Sequence, residues 1–112
     1  MVPLAAGLVV LVRFPFSDLS QTKLRPAVVP ADAGRGDWIL CQVTSKPYAD
    51  SAAVVLETGN FQRGSLKITS YARPGKLFTA SGALVESVAG ILQPESAREV
   101  IAAVVTILRG SE

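Results

Sequence analysis

Apolar residues along the chain fall into short runs, separated by glycine, proline and small polar residues. Runs rich in branched and aromatic residues are typical of strands, and clusters of glycine and proline are typical of turns. We predict seven strands, at residues 7–14, 25–30, 37–44, 53–57, 66–72, 76–80 and 83–91. Turns are predicted at 31–36, 59–64 and Pro74-Gly75, and loops at 15–23 and 45–51. Short strands at this spacing are typical of a small barrel or sandwich.

The last part of the chain changes to a helical pattern. Pro94 suits the first turn of a helix, with Glu95 near the positive end of the helix dipole. Arg109 and Gly110 are typical of a helix end. One apolar stripe at helical spacing contains Ala97, Val100, Ile101, Val104 and Leu108. The predicted fold is therefore mostly β, a largely antiparallel barrel of about six to seven strands with one packed C-terminal α-helix.

The second and third predicted strands form a hairpin whose register decides which side chains meet. If Pro30 faces Asp37 across the turn, Arg25 faces Gln42. A slip of two residues would place Arg25 opposite Thr44. In either register Arg25 and Thr44 lie at the same end of the hairpin, with Cβ atoms about 5–8 Å apart.

Alternation along the third strand separates its two faces. The face expected to point into the core carries Ile39, Cys41 and Val43, and the face expected to point away from it carries Trp38, Leu40, Gln42 and Thr44. Cys41 is expected to be a small buried hydrophobic residue. Thr44, followed by Ser45, would then be displayed near a guanidinium.

An arginine beside two hydroxyl groups can bind a phosphate. Arg25 follows the polar loop SDLSQTK and precedes Pro26, which restricts the backbone. A guanidinium can hold two phosphate oxygens at once, hydroxyls add hydrogen bonds, and the same donors would stabilise a pentacoordinate phosphorane. The alternative is structural: Arg25 can be a surface ion-pair former, and Thr44 can reflect the strand propensity of threonine.

Composition limits the possible classes of function. The 112 residues are 49% hydrophobic and 18% charged, which is typical of one globular domain spanning residues 1–112. The net charge of +2 allows a nucleic acid or an acidic partner but also fits an ordinary surface. The chain has no histidine, which excludes histidine triads and histidine metal sites. The single cysteine fits a reducing cytoplasm, and the apolar run at 4–12 is too short to cross a membrane.

The segments FPFSDLSQTKLRPAVV, WILCQVTS and SYARPGKLFTASGALV, followed by a closing helix, resemble the MazF/PemK (Kid-like) toxins of type II toxin–antitoxin systems. The resemblance covers roughly residues 7–108 in order. It implies an SH3-like barrel with a short C-terminal helix, assembled as a homodimer. It also implies an endoribonuclease that needs no metal or cofactor and cuts single-stranded RNA, often mRNA, at a short motif. The implied products carry a 2′,3′-cyclic phosphate and a 5′-hydroxyl.

The resemblance also implies catalytic roles for Arg25, Thr44 and Asp18. Arg25 matches the family's catalytic acid or phosphate stabiliser, and Thr44 matches the threonine that holds the scissile phosphate. The loop at 17–23 matches the one that covers the RNA site, and Asp18 is the nearest counterpart of its acidic residue. Arg73 matches an arginine of the later strand, but the aspartate position two residues on holds Gly75. The general base is therefore open between Asp18 and a joint role of substrate and solvent.

Substrate-binding roles are expected for a wider set of residues around this centre: Ser45, Lys23, Lys46, Tyr48, Arg73 and Phe16. Bases of single-stranded RNA stack on aromatic rings, for which the candidates are Phe16, Trp38, Tyr48 and Phe61. Several of these residues also have a structural interpretation. Phe16 can belong to the core, Asp18 can form an Asx turn, Trp38 can anchor a dimer interface, and the lysines and Arg73 can be solvated surface residues.

Partners follow from the resemblance. We expect a cytoplasmic homodimer whose RNA groove is lined by both subunits, and a cognate antitoxin that lays an acidic or amphipathic, initially disordered segment over that groove. A different possibility is a toxin of the same fold that targets gyrase by protein binding, although the helix end TILRGSE offers little chemistry for it. The chain could also be a non-catalytic nucleic-acid-binding barrel, or a degenerate relative that, lacking an acid at Gly75, only binds antitoxin.

Overall fold

The structure is a computed structural model that describes residues 3–15, 22–46 and 49–110. The described strands are β1 (Leu8–Pro15), β2 (Thr22–Gly34), β3 (Asp37–Thr44), β4 (Val54–Leu56), β5 (Phe61–Gly64), β6 (Ser70–Ser81) and β7 (Val85–Leu92). Short 3-10 turns occur at Thr58–Asn60 and Gly82–Leu84, and helix α1 spans Pro94–Arg109. No helix in the described ranges is long and apolar enough to cross a membrane.

The seven strands form one antiparallel sheet in the order β4-β6-β3-β2-β1-β7-β5. Register shifts interrupt the pairings of β1 with β7, β2 with β3, β3 with β6 and β5 with β7. Such bulges increase local twist and bend a sheet. The sheet therefore curls into a half-barrel, and one helix follows it. The predicted mostly-β fold with a closing helix is confirmed.

The central strands are buried on both faces. One core cluster joins Val9, Cys41 and Val43 to Val100 of α1, and a second cluster contains Val10, Val29 and Leu40 among others. Leu40 is completely buried, so the prediction that it points away from the core was wrong. Alternation on β3 failed as a guide because the curled sheet encloses apolar side chains on both of its faces.

The hairpin of β2 and β3 is longer than predicted. β2 continues to Gly34, and Arg35 and Gly36, both with positive φ, make the turn. Val28 pairs with Cys41, two residues beyond the Ile39 that the first predicted register gives it. At the end of the hairpin that carries Arg25 and Thr44, the observed register is therefore the one that is slipped by two residues.

One turn and two strands predicted in the second half of the chain were wrong. Residues 61–64, predicted as part of a turn, form β5. The two strands predicted at 66–72 and 76–80 are one strand, β6, which begins only at Ser70. Pro74 is buried within β6, opposite the register shift between Cys41 and Val43. A proline is tolerated there because its missing N–H is not needed at a bulge. The Pro74-Gly75 pair, predicted as a turn, therefore lies at a bulge within a continuous strand.

Helix α1 has the predicted bounds, but only part of its predicted stripe is buried: Val100 is in the core and Ala97 packs against it. Ser96 and Val100 are buried, and Ser96 accepts a hydrogen bond from the Asn60 amide at 3.0 Å. Leu108, predicted to pack on the barrel, is 73% exposed, and Ile101 is 40% exposed. The helix is apolar on two neighbouring stripes, and the sheet covers only one of them.

Candidate functional site

The described residues enclose a cavity of about 270 Å³ at the ends of β2 and β3. Its lining consists of Leu11, Arg25, Pro26, Val43, Thr44, Ser45, Leu66, Ile68 and Ser70. Arg25 and Thr44 thus face the same space, although they are 19 positions apart in the sequence. The cavity combines a guanidinium and three hydroxyl groups with an apolar side.

Strand β2 holds Arg25 at the rim of this cavity. The three residues that follow Pro26 are buried in the two cores, which anchors the strand immediately after the rim. Arg25 pairs with Val12 of β1 and is itself exposed. Ala27 pairs with Gln42 on β3, and the same register extended by two residues leads from Arg25 to Thr44. The guanidinium is therefore carried by a rigid sheet and reaches solvent.

Thr44 ends β3 with its hydroxyl already oriented. Its Oγ1 accepts a hydrogen bond from the Lys46 backbone N–H at 3.1 Å, which closes a small turn after the strand. A hydroxyl that accepts one hydrogen bond keeps its own proton to donate. Thr44 also pairs with Tyr71 of β6, so both its backbone and its side chain are positioned.

Of the remaining predicted site residues, some line the cavity and others do not. Ser45 lines the cavity and is exposed. Lys23 and Lys46 are exposed at the start of β2 and just after β3, but the described lining does not include them. Three further predictions, Asp18, Phe16 and Tyr48, lie outside the described residues.

Arg73 is engaged away from the cavity lining. Its Nε donates to Asp50 Oδ2 at 3.0 Å, and the two side chains are only 21% and 18% exposed. Asp50 also accepts a hydrogen bond from the Ala52 backbone N–H at 3.0 Å. The Arg73 guanidinium first, and the Ala52 amide second, lower the pKa of the Asp50 carboxyl below its ordinary value. The carboxylate beside Arg73 therefore comes from another part of the chain, not from the position of Gly75.

Sequence reasoning missed the pairing of Asp50 with Arg73 and the apolar side of the cavity. Asp50 and Arg73 are 23 residues apart, and no local pattern links them. Leu66 and Ile68 were assigned to a strand, which concealed the irregular segment between β5 and β6. The mixed run at 65–69, with two serine or threonine residues and a lysine, was the available signal for a loop.

Two candidates from the sequence are buried. Phe61 is only 7% exposed and belongs to the first core cluster, so its prediction as a base-stacking residue was wrong. Cys41 is confirmed as a small buried residue, and its Sγ donates to the Arg73 carbonyl at 3.2 Å. Burial raises the pKa of the Cys41 thiol to about 12, which leaves almost no thiolate at neutral pH. Trp38 is half-buried against the second core cluster.

Within residues 3–15, 22–46 and 49–110, no three cysteine, aspartate or glutamate side chains come together as metal ligands. The polar groups that do converge, at Arg25, Thr44 and Ser45, are hydrogen-bond donors. Such a set suits an anion better than a cation.

Solved structures similar to this chain share its fold. An endoribonuclease in complex with its cognate antitoxin, from a mycobacterial species, has a TM-score of 0.74 at 15% identity, covering 96% of both chains. A MazE-MazF structure from Deinococcus radiodurans has a TM-score of 0.73 at 20% identity, covering 95% of this chain and 96% of that one. The Mycobacterium tuberculosis toxin MazF-mt6 has a TM-score of 0.72 at 12% identity, covering 94% and 99%.

Comparison with protein families gives a match over almost the whole sequence. No curated protein matches the chain by sequence. The model of the family described as PemK-like, MazF-like toxin of type II toxin-antitoxin system matches residues 5–108. Because this match spans the sheet, the cavity and the helix, the chain belongs to the family of PemK-like and MazF-like toxins of type II toxin–antitoxin systems.

Proposed function

We propose that this toxin is a metal-independent endoribonuclease that cuts single-stranded RNA, including mRNA, at a short sequence motif. The observation that supports the proposal most strongly is the presence of Arg25 and Thr44 on one cavity. The family membership and the fold shared with proteins named as endoribonucleases agree with it. The proposed products are a 2′,3′-cyclic phosphate and a 5′-hydroxyl.

In the proposed reaction the 2′-oxygen of the substrate attacks the adjacent phosphorus. The new P–O2′ bond forms as the P–O5′ bond breaks, and the 2′-proton and a proton for the 5′-oxygen must both be transferred. Negative charge builds up on the non-bridging oxygens in the transition state. Arg25 would donate to two of these oxygens, and the Thr44 hydroxyl would donate to one. Their rigid placement would lower the barrier by holding the phosphate in line for attack.

The general base of the proposed mechanism has two candidates. Asp18 is proposed to accept the 2′-proton, and the substrate together with solvent is the alternative. Asp50 is a poor base for this step, because Arg73 and the Ala52 amide stabilise its charged form and lower its pKa. Ser45, on the cavity lining, is proposed to bind the same phosphate or its neighbour.

We also propose that the protein acts in the cytoplasm as a homodimer with an RNA groove lined by both subunits. Helix α1 supports this, because Ile101, Val105 and Leu108 form an exposed apolar stripe. An apolar stripe of this kind is typical of a helix that packs against another chain. Lys23, Lys46 and Arg73 are proposed to contact the RNA backbone, and Phe16 and Tyr48 to contact its bases.

A cognate antitoxin is the proposed inhibitor. One of the similar structures is named as an endoribonuclease in complex with its cognate antitoxin, and another is named as MazE-MazF. An acidic or amphipathic segment laid over the cavity would place negative charge near Arg25, Lys23 and Lys46, which are all exposed. It would thereby compete directly with RNA.

A second candidate, a toxin that acts by binding a protein such as gyrase, is favoured by one observation. The end of α1 exposes Ile107 and Leu108, which could bind a protein target instead of a second subunit. An assay with naked RNA and no topoisomerase separates the two functions.

The test of the proposed function uses the purified protein and a pool of mixed single-stranded RNA in EDTA. The new RNA ends are mapped by sequencing, and their chemistry is determined. Cleavage at a recurring motif, with 5′-hydroxyl and 2′,3′-cyclic phosphate ends, is the expected result. Intact RNA after long incubation would reject the nuclease in favour of protein binding, and cleavage that needs added metal would reject the metal-independent mechanism.

A further inference from the structure

The cavity that holds Arg25 and Thr44 has an apolar side with no role in the phosphate chemistry. Leu66 and Ile68 line it from the segment between β5 and β6. Ile68 is 62% exposed, and among the large hydrophobic residues of the described ranges only Leu108 is more exposed. A single exposed isoleucine on a plain surface is ordinary. On the lining of a polar cavity, it offers an apolar contact to whatever occupies that cavity.

Local structure fixes Ile68 in this place. Lys67 has a φ of 72°, a left-handed conformation that is uncommon for a residue other than glycine. Its backbone N–H donates to Ser65 Oγ at 3.2 Å, and the Ser70 hydroxyl donates to the Ile68 carbonyl at 3.1 Å. Ser70 is itself only 3% exposed. Hydrogen bonds on both sides of Ile68 therefore maintain a backbone shape that is often found at ligand contacts.

Leu66 connects the same segment to the interior. It is half-buried and packs against the first core cluster, so the apolar side of the cavity is continuous with the core. The segment therefore presents one anchored residue, Leu66, and one exposed residue, Ile68. Together they form a preorganised contact surface.

A nucleotide has two chemically different parts that match the two sides of this cavity. Its phosphate is charged, whereas the faces of its base are apolar. With a phosphate at Arg25 and Thr44, an adjoining base would meet Leu66 and Ile68. The volume of about 270 Å³ is sufficient for a nucleotide-sized group.

We propose that Leu66 and Ile68 bind the base next to the scissile phosphate, and that Ile68 helps determine which base is accepted there. This inference rests on the proposed ribonuclease function. Aliphatic side chains neither donate nor accept hydrogen bonds, so this contact selects by size, shape and apolar surface. Selection of this kind is modest, about 10- to 200-fold for one methylene group.

The experiment compares the wild type with Ile68→Ala and Ser70→Ala on a randomised single-stranded RNA pool in EDTA. Base frequencies on both sides of each cut are measured, followed by kcat and KM on the best-cut oligonucleotide. Ile68→Ala is expected to change the base frequency at one position beside the cut by at least about threefold, and to raise KM about tenfold with kcat within about twofold. Ser70→Ala, which releases the Ile68 carbonyl, is expected to shift the same position less.

Leu84→Ala is the matched control, because Leu84 is a 41% exposed residue outside the cavity lining. It should leave base frequencies and KM unchanged. If the wild type does not cut RNA, the proposed function itself is wrong. If the wild type cuts RNA and a folded Ile68→Ala keeps both base frequencies and KM, the inference is overturned and the function stands. Should Ile68→Ala fail to fold, Ile68→Thr carries the same test.

Discussion

The Arg73 Nε atom lies 3.0 Å from Asp50 Oδ2, and this ion pair ties the segment after β3 to strand β6. Asp50 is held further by the Ala52 backbone amide. Arg73 therefore has a structural role in addition to any contact with substrate.

Replacing Asp50 by asparagine should lower the melting temperature by several degrees. The change removes the charge that Arg73 faces in a partly buried setting while keeping a similar shape. Differential scanning calorimetry measures the effect, with Glu99→Gln as a control that removes a negative charge from an exposed helix position. Equal melting temperatures for Asp50→Asn and the control would show that the pair contributes nothing to stability.

The stabilising effect of Asp50 should also depend on pH. Its pKa is lower in the folded chain than the value of about 3.9 in an unfolded one. The contribution of the charged carboxylate is therefore complete above about pH 5, and it is lost as the pH falls from about 4 through the lower pKa of the folded state. The difference in free energy of unfolding between the wild type and Asp50→Asn should shrink in that range. A difference that stays constant down to about pH 2 would contradict the assignment.

Cys41 should be inert to thiol reagents in the folded protein. Burial raises the pKa of its thiol to about 12, so almost none of it is thiolate at about pH 8, and complete burial also blocks access of the reagent. Labelling with iodoacetamide should be slow in buffer and rapid in guanidinium chloride. Rapid labelling of the native protein would show that the interior around Cys41 opens readily.

The exposed stripe on α1 should carry the subunit contact. Leu108→Asp would place a charge within an apolar interface, and we expect it to convert a dimer into monomers while the fold is retained. Light scattering coupled to size-exclusion chromatography measures the mass, and Arg98→Gln provides a control at an exposed polar position of α1. A wild type that is monomeric, or a Leu108→Asp variant that remains dimeric, would exclude this surface.

The sequence predicted the fold class and the end of the hairpin where the cavity lies. Strand-forming runs and one amphipathic helix were sufficient to predict the fold class. Arg25 and Thr44 lie at the same end of the hairpin in both predicted registers, because these registers differ by only two residues. In the structure Arg25 and Thr44 line one cavity, as their placement at the same end of the hairpin permits.

Details that depend on tertiary contacts could not be predicted in this way. Pro74 and Gly75 carry a strong turn signal, but their neighbours pair on both sides of a bulge and make β6 continuous. Likewise, the apolar pattern of α1 did not show how much of the stripe the sheet would cover: Val100 is buried, but Ile101 and Leu108 remain exposed. The cavity's apolar side depends on the conformation of residues 65–69, which local propensity does not fix.

Joint action of Arg25 and Thr44 on one phosphodiester is the central claim. The most direct measurement is the single-turnover cleavage rate of a motif-bearing oligonucleotide in EDTA, for the wild type, Arg25→Ala, Thr44→Val and the double variant, each with a confirmed melting temperature. We expect Arg25→Ala to slow cleavage at least about a hundredfold, Thr44→Val to slow it about tenfold or more, and the double variant to lose less than the product of the two. A folded Arg25→Ala variant that cuts within about threefold of the wild-type rate would contradict the account.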